Sequence, residues 1–317
     1  MFNAENKSGK KTIFTKKVKD YIFAYGLLAI PILYFLVFWL YLNFSSILLA
    51  FQDEFTGEFT INNFTRLFED FAQDWRLNRG VKTAVENTFI TAFLTMFVSM
   101  PTTVFVTYIL FKKYFGHMFF RVIFYIPGIV GTVVLGTMSQ YILDAIGPIV
   151  QLGTLLGVKW PFEVLQSGLI QNEITARATF HITSVLGIAG GTILLLTGSL
   201  QKIPQDIFDS CKIDGVGMWR EFAFIVVPCC WSTIGIMWIM TFANVWGQYE
   251  RVMTLTGGNY GTNNFAYWAF SKSLNATKGG ENFNYPAAIG LLMTAVIAPL
   301  ALFLRWVANK VIEPVEF

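Results

Sequence analysis

Two groups of residues in this 317-residue chain have types and spacing that could do chemistry. The first is Thr241, Asn244 and Gln248, at i, i+3 and i+7 in an apolar run, with Trp238 and Tyr249 beside them. That spacing puts a hydroxyl and two amides on one helical stripe. Amides and hydroxyls exchange hydrogen bonds with sugar hydroxyls, and aromatic rings pack on the apolar faces of sugars. An uncharged stripe of this kind suits a neutral polyhydroxyl ligand. The alternative is hydrogen bonding between helices, which Asn and Gln commonly make in membranes. The second group lies in residues 199–231, SLQKIPQDIFDSCKIDGVGMWREFAFIVVPCCW. There Lys202, Asp206, Asp209, Lys212 and Asp214 stand between two uncharged runs of membrane length. A charged, helix-competent segment in that position reads as a docking element for another protein; a solvated loop face is the alternative.

Other chemistry is missing. No G-x4-GK[ST] phosphate loop is present, so ATP hydrolysis is not expected of this chain. The apolar runs hold no cluster of His, Asp or Glu for a membrane-embedded enzyme, and no Arg or Lys suited to a phosphate-bearing substrate. His181, alone near the start of an apolar run, reads as an interface residue rather than a proton relay. Cys211, Cys229 and Cys230 have no metal-ligand spacing and read as small apolar packing residues.

These groups need a membrane bundle to position them. The chain is 54% hydrophobic and 14% charged, against about 25% charged in soluble domains. Six runs are long enough for a ~30 Å apolar core. They are Tyr21–Gln52, Asn87–Phe111, Val122–Leu143, Ala178–Gln201, a run from between Phe222 and Pro228 to about Met253, and Pro286–Leu304. Residues 1–20 read as a flexible cytosolic lead-in and 311–317 as a short tail, with the bundle at 21–310. The first run is too long for a signal peptide. Pro31 and Pro101 should kink their spans. Phe59, Phe64, Leu67, Phe68 and Phe71 suggest a surface helix, and Ala145–Val158 is too short to span, hence interfacial or re-entrant. Lys and Arg gather in 1–20, 112–121, 202–220 and 305–317. The positive-inside rule therefore puts both termini and the charged loop in the cytosol. The net charge of +3 gives no reason to expect nucleic acid.

Within the loop at 202–228, Pro204 suits a first helical position. Ile207, Phe208 and Cys211 then form an apolar face opposite Gln205, Asp206, Asp209 and Lys212. Gly215 marks the helix end after Asp214. A second amphipathic piece, 218–226, leads to Pro228.

This loop resembles that of the inner-membrane permease subunits of bacterial ABC importers, marked by EAA-x3-G-x9-I-x-LP. Asp209, Ser210 and Cys211 stand at the EAA positions, followed by Gly215, Ile225 and Val227-Pro228 at the family spacing. Ile203-Pro204, the IDG at 213–215, the FQD stretch at 51–53, INNFTRLFED at 61–70, ENT at 86–88 and YIPG at 125–128 are similar to the carbohydrate, maltose-type branch. The resemblance covers most of the chain. It implies an all-α integral membrane protein of the type I importer permease fold, with six transmembrane helices and a cytosolic coupling helix. It implies that Asp206, Asp209, Ser210, Cys211, Asp214 and Gly215 face an ATP-binding subunit, with Asp209 pairing a basic group there. It also implies substrate contacts at Ser184, Gly187, Thr241, Asn244 and Gln248, while Gly191 carries no side chain at a matched position. Gly257-Gly258-Asn259 resembles the region where a solute-binding protein docks, with a flexible loop as the alternative.

The implied assembly is a bacterial or archaeal cytoplasmic-membrane sugar importer. It has two copies of a cytosolic ATPase, which hold ATP and Mg, and a second, non-identical permease, a homodimer being the other possibility. An extracytoplasmic binding protein completes it. This chain binds no cofactor in that reading. A polyol, glycerol phosphate or peptide is the alternative cargo. The short tail after the last span matches the half of the maltose-type pair that contacts substrate.

Overall fold

A computed structural model describes residues 5–54, 56–77, 80–186, 190–277 and 283–311. Its elements in order are α1 (Tyr21–Ala50), α2 (Asn62–Arg76), α3 (Val81–Phe111), α4 (His117–Ile129), α5 (Thr132–Leu143), α6 (Pro148–Leu155), α7 (Phe162–Ser167) and α8 (Ala176–Leu186). They continue as α9 (Gly190–Leu200), α10 (Gln205–Ile213), α11 (Met218–Cys229), α12 (Trp231–Val245), α13 (Glu250–Leu255), α14 (Phe265–Thr277) and α15 (Asn284–Val311). Among the described residues the only extended pairing is an isolated bridge between Gln52 and Phe59. Among the described residues, five stretches are long and apolar enough to cross a membrane (α1, α3, α5 with α6, α8 with α9, and α15), or six if the bent pair α11–α12 forms one span. The all-α membrane fold expected from the sequence is the fold observed.

Prolines shape the spans through backbone chemistry. A proline cannot donate to the carbonyl four residues back, and its ring crowds that carbonyl. Pro101 and Pro228 are each preceded by a π-helical turn, Thr95–Ser99 and Phe222–Val226, that holds the carbonyl in question. The bonds reach one residue further there: Met100 N–H donates to Thr95 O, and Val227 N–H to Phe222 O. Such wide turns open the ladder where a straight helix would clash. In α1, Pro31 is followed by a π-helical stretch, Phe35–Tyr41.

Three expectations need correction. Residues 1–20 were expected as a flexible lead-in, but from Glu5 the backbone is helical and runs into the first span. Val122–Leu143 is not one helix. Pro127 removes a donor, Gly128 and Gly131 favour helix poorly, and Val130 and Gly131 are extended. The fifth span does not run straight to Met253. It bends by 79° between α11 and α12, ends at Val245, and passes through a turn containing Gly247 before α13. The short segment 145–158 forms α6, with Leu155 and Leu156 exposed and Val150 buried.

The core that joins loop to bundle contains Met100, Val104 and Tyr108 of α3, Leu196 and Leu200 of α9, Phe208 of α10, Val226 of α11, and Ile234 and Met237 of α12. By contrast, α1 buries almost nothing within the chain, and its last turns pack on α15. Its exposed aromatic and aliphatic residues have the surface of a helix bounded by lipid or by another chain.

Candidate functional site: a polar cavity and its coupling loop

Four of the five expected substrate-path residues meet at one place. Ser184 from α8, Thr241 and Asn244 from α12 and Gln248 from the turn after α12 line a single cavity of about 180 Å³. Gly187 lies outside the described residues. The opposite wall was not anticipated. It is made by Thr91, Thr95, Ser99 and Thr103, spaced four residues apart along α3, with Met100 between them. Thr192 and Arg251 complete the polar lining.

The hydroxyls have a common polarity. Thr95 donates to Thr91 O at 2.8 Å, Thr103 to Ser99 O at 2.8 Å and Ser184 to Phe180 O at 2.8 Å. A hydroxyl whose proton is used on its own helix still offers lone pairs. The wall therefore presents acceptors, while the amides of Asn244 and Gln248 supply both donors and acceptors. Both residues are exposed, and neither side chain bonds another described residue, so the interhelical alternative has no bond to support it here. The flanking aromatics do otherwise than expected. Trp238 Nε1 donates to Met96 O at 3.2 Å, and Tyr249 stacks on Phe270 with centroids 4.3 Å apart. Neither lines the cavity.

The absence of a basic residue from the path also needs correction. Arg251 lies within the expected fifth span, and the turn after Val245 brings it to the cavity wall.

Above the cavity, Asn87 organises a buried network. Its Nδ2 donates to Gly261 O and Asn263 O, each at 2.8 Å. Its Oδ1 accepts from Arg177 Nε at 2.7 Å and lies 3.3 Å from His181 Nε2. His181 Nδ1 is 3.2 Å from Thr91 Oγ1, and Arg177 also pairs with Glu86 at 2.9 Å. His181 thus packs at a helix interface. The loop at 256–264 is closely bonded: Thr262 and Asn259 bond within it, and Phe265 N donates to Thr88 Oγ1 at 2.9 Å. Gly258 is at φ +80°, and a Cβ there would meet the Tyr267 ring at 2.5 Å.

The charged loop folds as its pattern dictates. Pro204 precedes α10, whose Phe208 and Cys211 are buried and whose Asp206, Asp209, Ser210 and Asp214 are exposed. The Phe208 ring meets Phe111 at a tilt of 44°, with centroids 5.8 Å apart, and so fixes α10 to the end of α3. Lys212 Nζ donates to Asp209 at 2.8 Å and Gln205 Nε2 lies at 3.5 Å. Lys212, then Gln205, hold the Asp209 carboxyl below the usual carboxylate range, and Asp209 in turn raises Lys212. Ser210 Oγ donates to Asp206 O. Gly215, at φ +66°, ends the helix with two bonds: its N–H to Lys212 O at 3.3 Å, and Val216 N–H to Cys211 O at 2.9 Å. This is the glycine-terminated Schellman arrangement. Ile213 at the end of α10 and Trp219 beyond the turn are exposed, so the face carries apolar as well as charged groups.

No protein-family model matches the chain. It is 25% identical over 199 residues to the probable starch degradation products transport system permease protein AmyD of Thermoanaerobacterium thermosulfurigenes, covering 61% of this chain and 64% of AmyD. It is 25% identical over 310 residues to the arabinooligosaccharides transport system permease protein AraP of Bacillus subtilis (strain 168), covering 95% and 92%. The chain spans only 33% of the alpha-glucoside transport system permease protein AglF of Rhizobium meliloti (strain 1021) and 61% of the probable ABC transporter permease protein YurN of Bacillus subtilis. Among solved structures, a chain of a bacterial alginate ABC transporter, in complex with an alginate pentasaccharide-bound periplasmic protein, superposes with a TM-score of 0.73 at 16% identity. The match covers 94% of this chain and 98% of that one. The fold is that of a membrane-spanning ABC transporter permease. The resemblance to ABC importer permeases on Asp209 to Pro228, and to their carbohydrate branch on Ile203-Pro204, 213–215, 61–70, 86–88 and 125–128, is supported by these relatives.

Proposed function

We propose that this chain is one permease subunit of an ATP-driven importer for a sugar or oligosaccharide. The observation that carries this reading is the convergence of Ser184, Thr241, Asn244 and Gln248 on one cavity of hydroxyls and amides. In this reading α10 seats in a cytosolic ATP-binding subunit, two copies of which hold ATP and Mg, and both termini are cytosolic. A second, non-identical permease covers the apolar face of α1. An extracytoplasmic binding protein delivers cargo to the side of the 256–264 loop.

The packing supports a mechanical link. Phe208 of α10 shares one core with α3, α11 and α12, and α3 and α12 also carry the cavity wall. Interiors are close-packed and transmit displacement. A shift of α10 caused by ATP binding to the partner would therefore reposition Thr103 and Thr241 relative to each other. Hydrolysis resets the partner, and this chain supplies the gate rather than the chemistry.

The test is purification of the tagged chain from its own membranes in mild detergent, followed by mass spectrometry and ATP-dependent sugar uptake in proteoliposomes. Recovery of an ATP-binding subunit and a second permease with sugar uptake is expected. Recovery of the chain without any ATP-binding protein would sink the assignment.

A further inference from the structure

Among the described residues, four cations pair closely with a carboxylate. Lys112 pairs with Glu221, Arg177 with Glu86, Lys212 with Asp209 and Lys272 with Asp74. Arg251 differs. It lines the polar cavity, yet among the described residues no carboxylate stands within 4.0 Å of it. Its guanidinium carbon lies 5.9 Å from the centroid of the Phe180 ring. A ring face orients a cation without neutralising it. A partly buried charge is costly unless it is paired or faces a polar, water-filled path, and such residues in transport proteins commonly meet substrate or ion. Here the remaining wall offers hydroxyl lone pairs and two amides, none of them a counter-charge.

We infer that the transported carbohydrate is acidic, and that the carboxylate of a uronic acid residue in it pairs with Arg251 while its hydroxyls meet Asn244, Gln248 and the threonine wall. This rests on the sugar-importer reading and narrows its substrate class. A carboxylate is planar and matches the guanidinium fork with two parallel hydrogen bonds. The same wall that suits neutral hydroxyls then fixes the rest of the ring. A neutral sugar in this cavity would leave Arg251 desolvated and unpaired, which is the usual basis of strong discrimination by a buried polar group.

The experiment is uptake by proteoliposomes holding the complete importer. The probes are uronic acid disaccharides and trisaccharides (galacturonate, glucuronate, mannuronate and guluronate), each beside its carboxyl-reduced neutral counterpart. At least one acidic member should enter about tenfold or more faster than its neutral partner. Arg251→Gln should bring that ratio to about 1, and Arg251→Lys should keep part of it. The ratio is taken within one preparation, so it does not depend on how much variant protein folds. Uptake of neutral sugars with no acidic preference in the wild type would overturn the inference and leave the importer reading standing. A preference that survives Arg251→Gln would also overturn it. Absence of ATP-dependent uptake of any sugar would overturn both.

Discussion

Lys112 Nζ lies 2.5 Å from Glu221 Oε1, joining the end of α3 to the start of α11 across the base of the charged loop. The Lys112 ammonium also stands 4.6 Å from the centroid of Phe208, so one cation holds both arms of the loop. Glu221 is only 6% exposed. Removing one partner from such a pair strands a buried charge, at about 3 kcal/mol or more. Lys112→Met should therefore lower the thermal midpoint of the detergent-solubilised protein clearly. Adding Glu221→Gln should recover much of the loss, because the stranded charge is then gone. Equal destabilisation in the single and double variants would contradict this.

Gly215 has open space where a Cβ would stand, so its constraint lies in the backbone alone. At φ +66° a β-branched side chain is strained, while Asn tolerates the left-handed region. Gly215→Val should loosen the end of α10 and cut substrate-stimulated ATP hydrolysis by an order of magnitude or so, with Gly215→Asn much milder. The paired hydrolysis rates check this; equal rates would show that the turn does not set the seating of α10.

Asp209 and Lys212 define a pH dependence. The Asp209 carboxyl is held low by Lys212 and Gln205, so its charge persists above and through the ordinary carboxylate range. That charge is lost only as the pH falls through the depressed value. Lys212→Gln should raise the Asp209 midpoint towards the ordinary value of about 3.9, read by carboxyl carbon NMR on the full chain. An unchanged midpoint would mean that the 2.8 Å contact does not govern the group.

Asn244 and Gln248 reach the cavity with free amides. A neutral hydrogen bond contributes about 0.5–1.5 kcal/mol, so Asn244→Ala and Gln248→Ala should each raise the KM for the transported sugar about threefold to tenfold. Thr241→Val should have a smaller effect in the same direction. Unchanged transport in both amide variants would make the stripe a packing feature.

Much of this was written in the chain. The loop was readable because its signals are local: Pro204 before a helix, an apolar face at Ile207, Phe208 and Cys211, and a glycine at the stop. Thr241 and Asn244 were readable as a stripe because 3.6-residue periodicity survives in a straight helix such as α12, while Gln248 reaches the same cavity from the turn beyond it. What escaped notice depends on breaks. Trp246 to Tyr249 leave the helical path, so Arg251 could not be placed by counting along a wheel. The facing hydroxyls of Thr91, Thr95, Ser99 and Thr103 come from a distant segment whose π-helical turn shifts their register. Trp238 and Tyr249 looked like sugar platforms by proximity in sequence, but Met96 O and Phe270 claim them in space.

In the proposed importer, α10 moves the cavity wall through Phe208. This link is tested most directly by ATP hydrolysis in the reconstituted importer, with and without sugar-loaded binding protein. Phe208→Ala should leave an assembled complex whose hydrolysis no longer responds to loaded binding protein. A full response in that variant, with normal sugar uptake, would contradict the account.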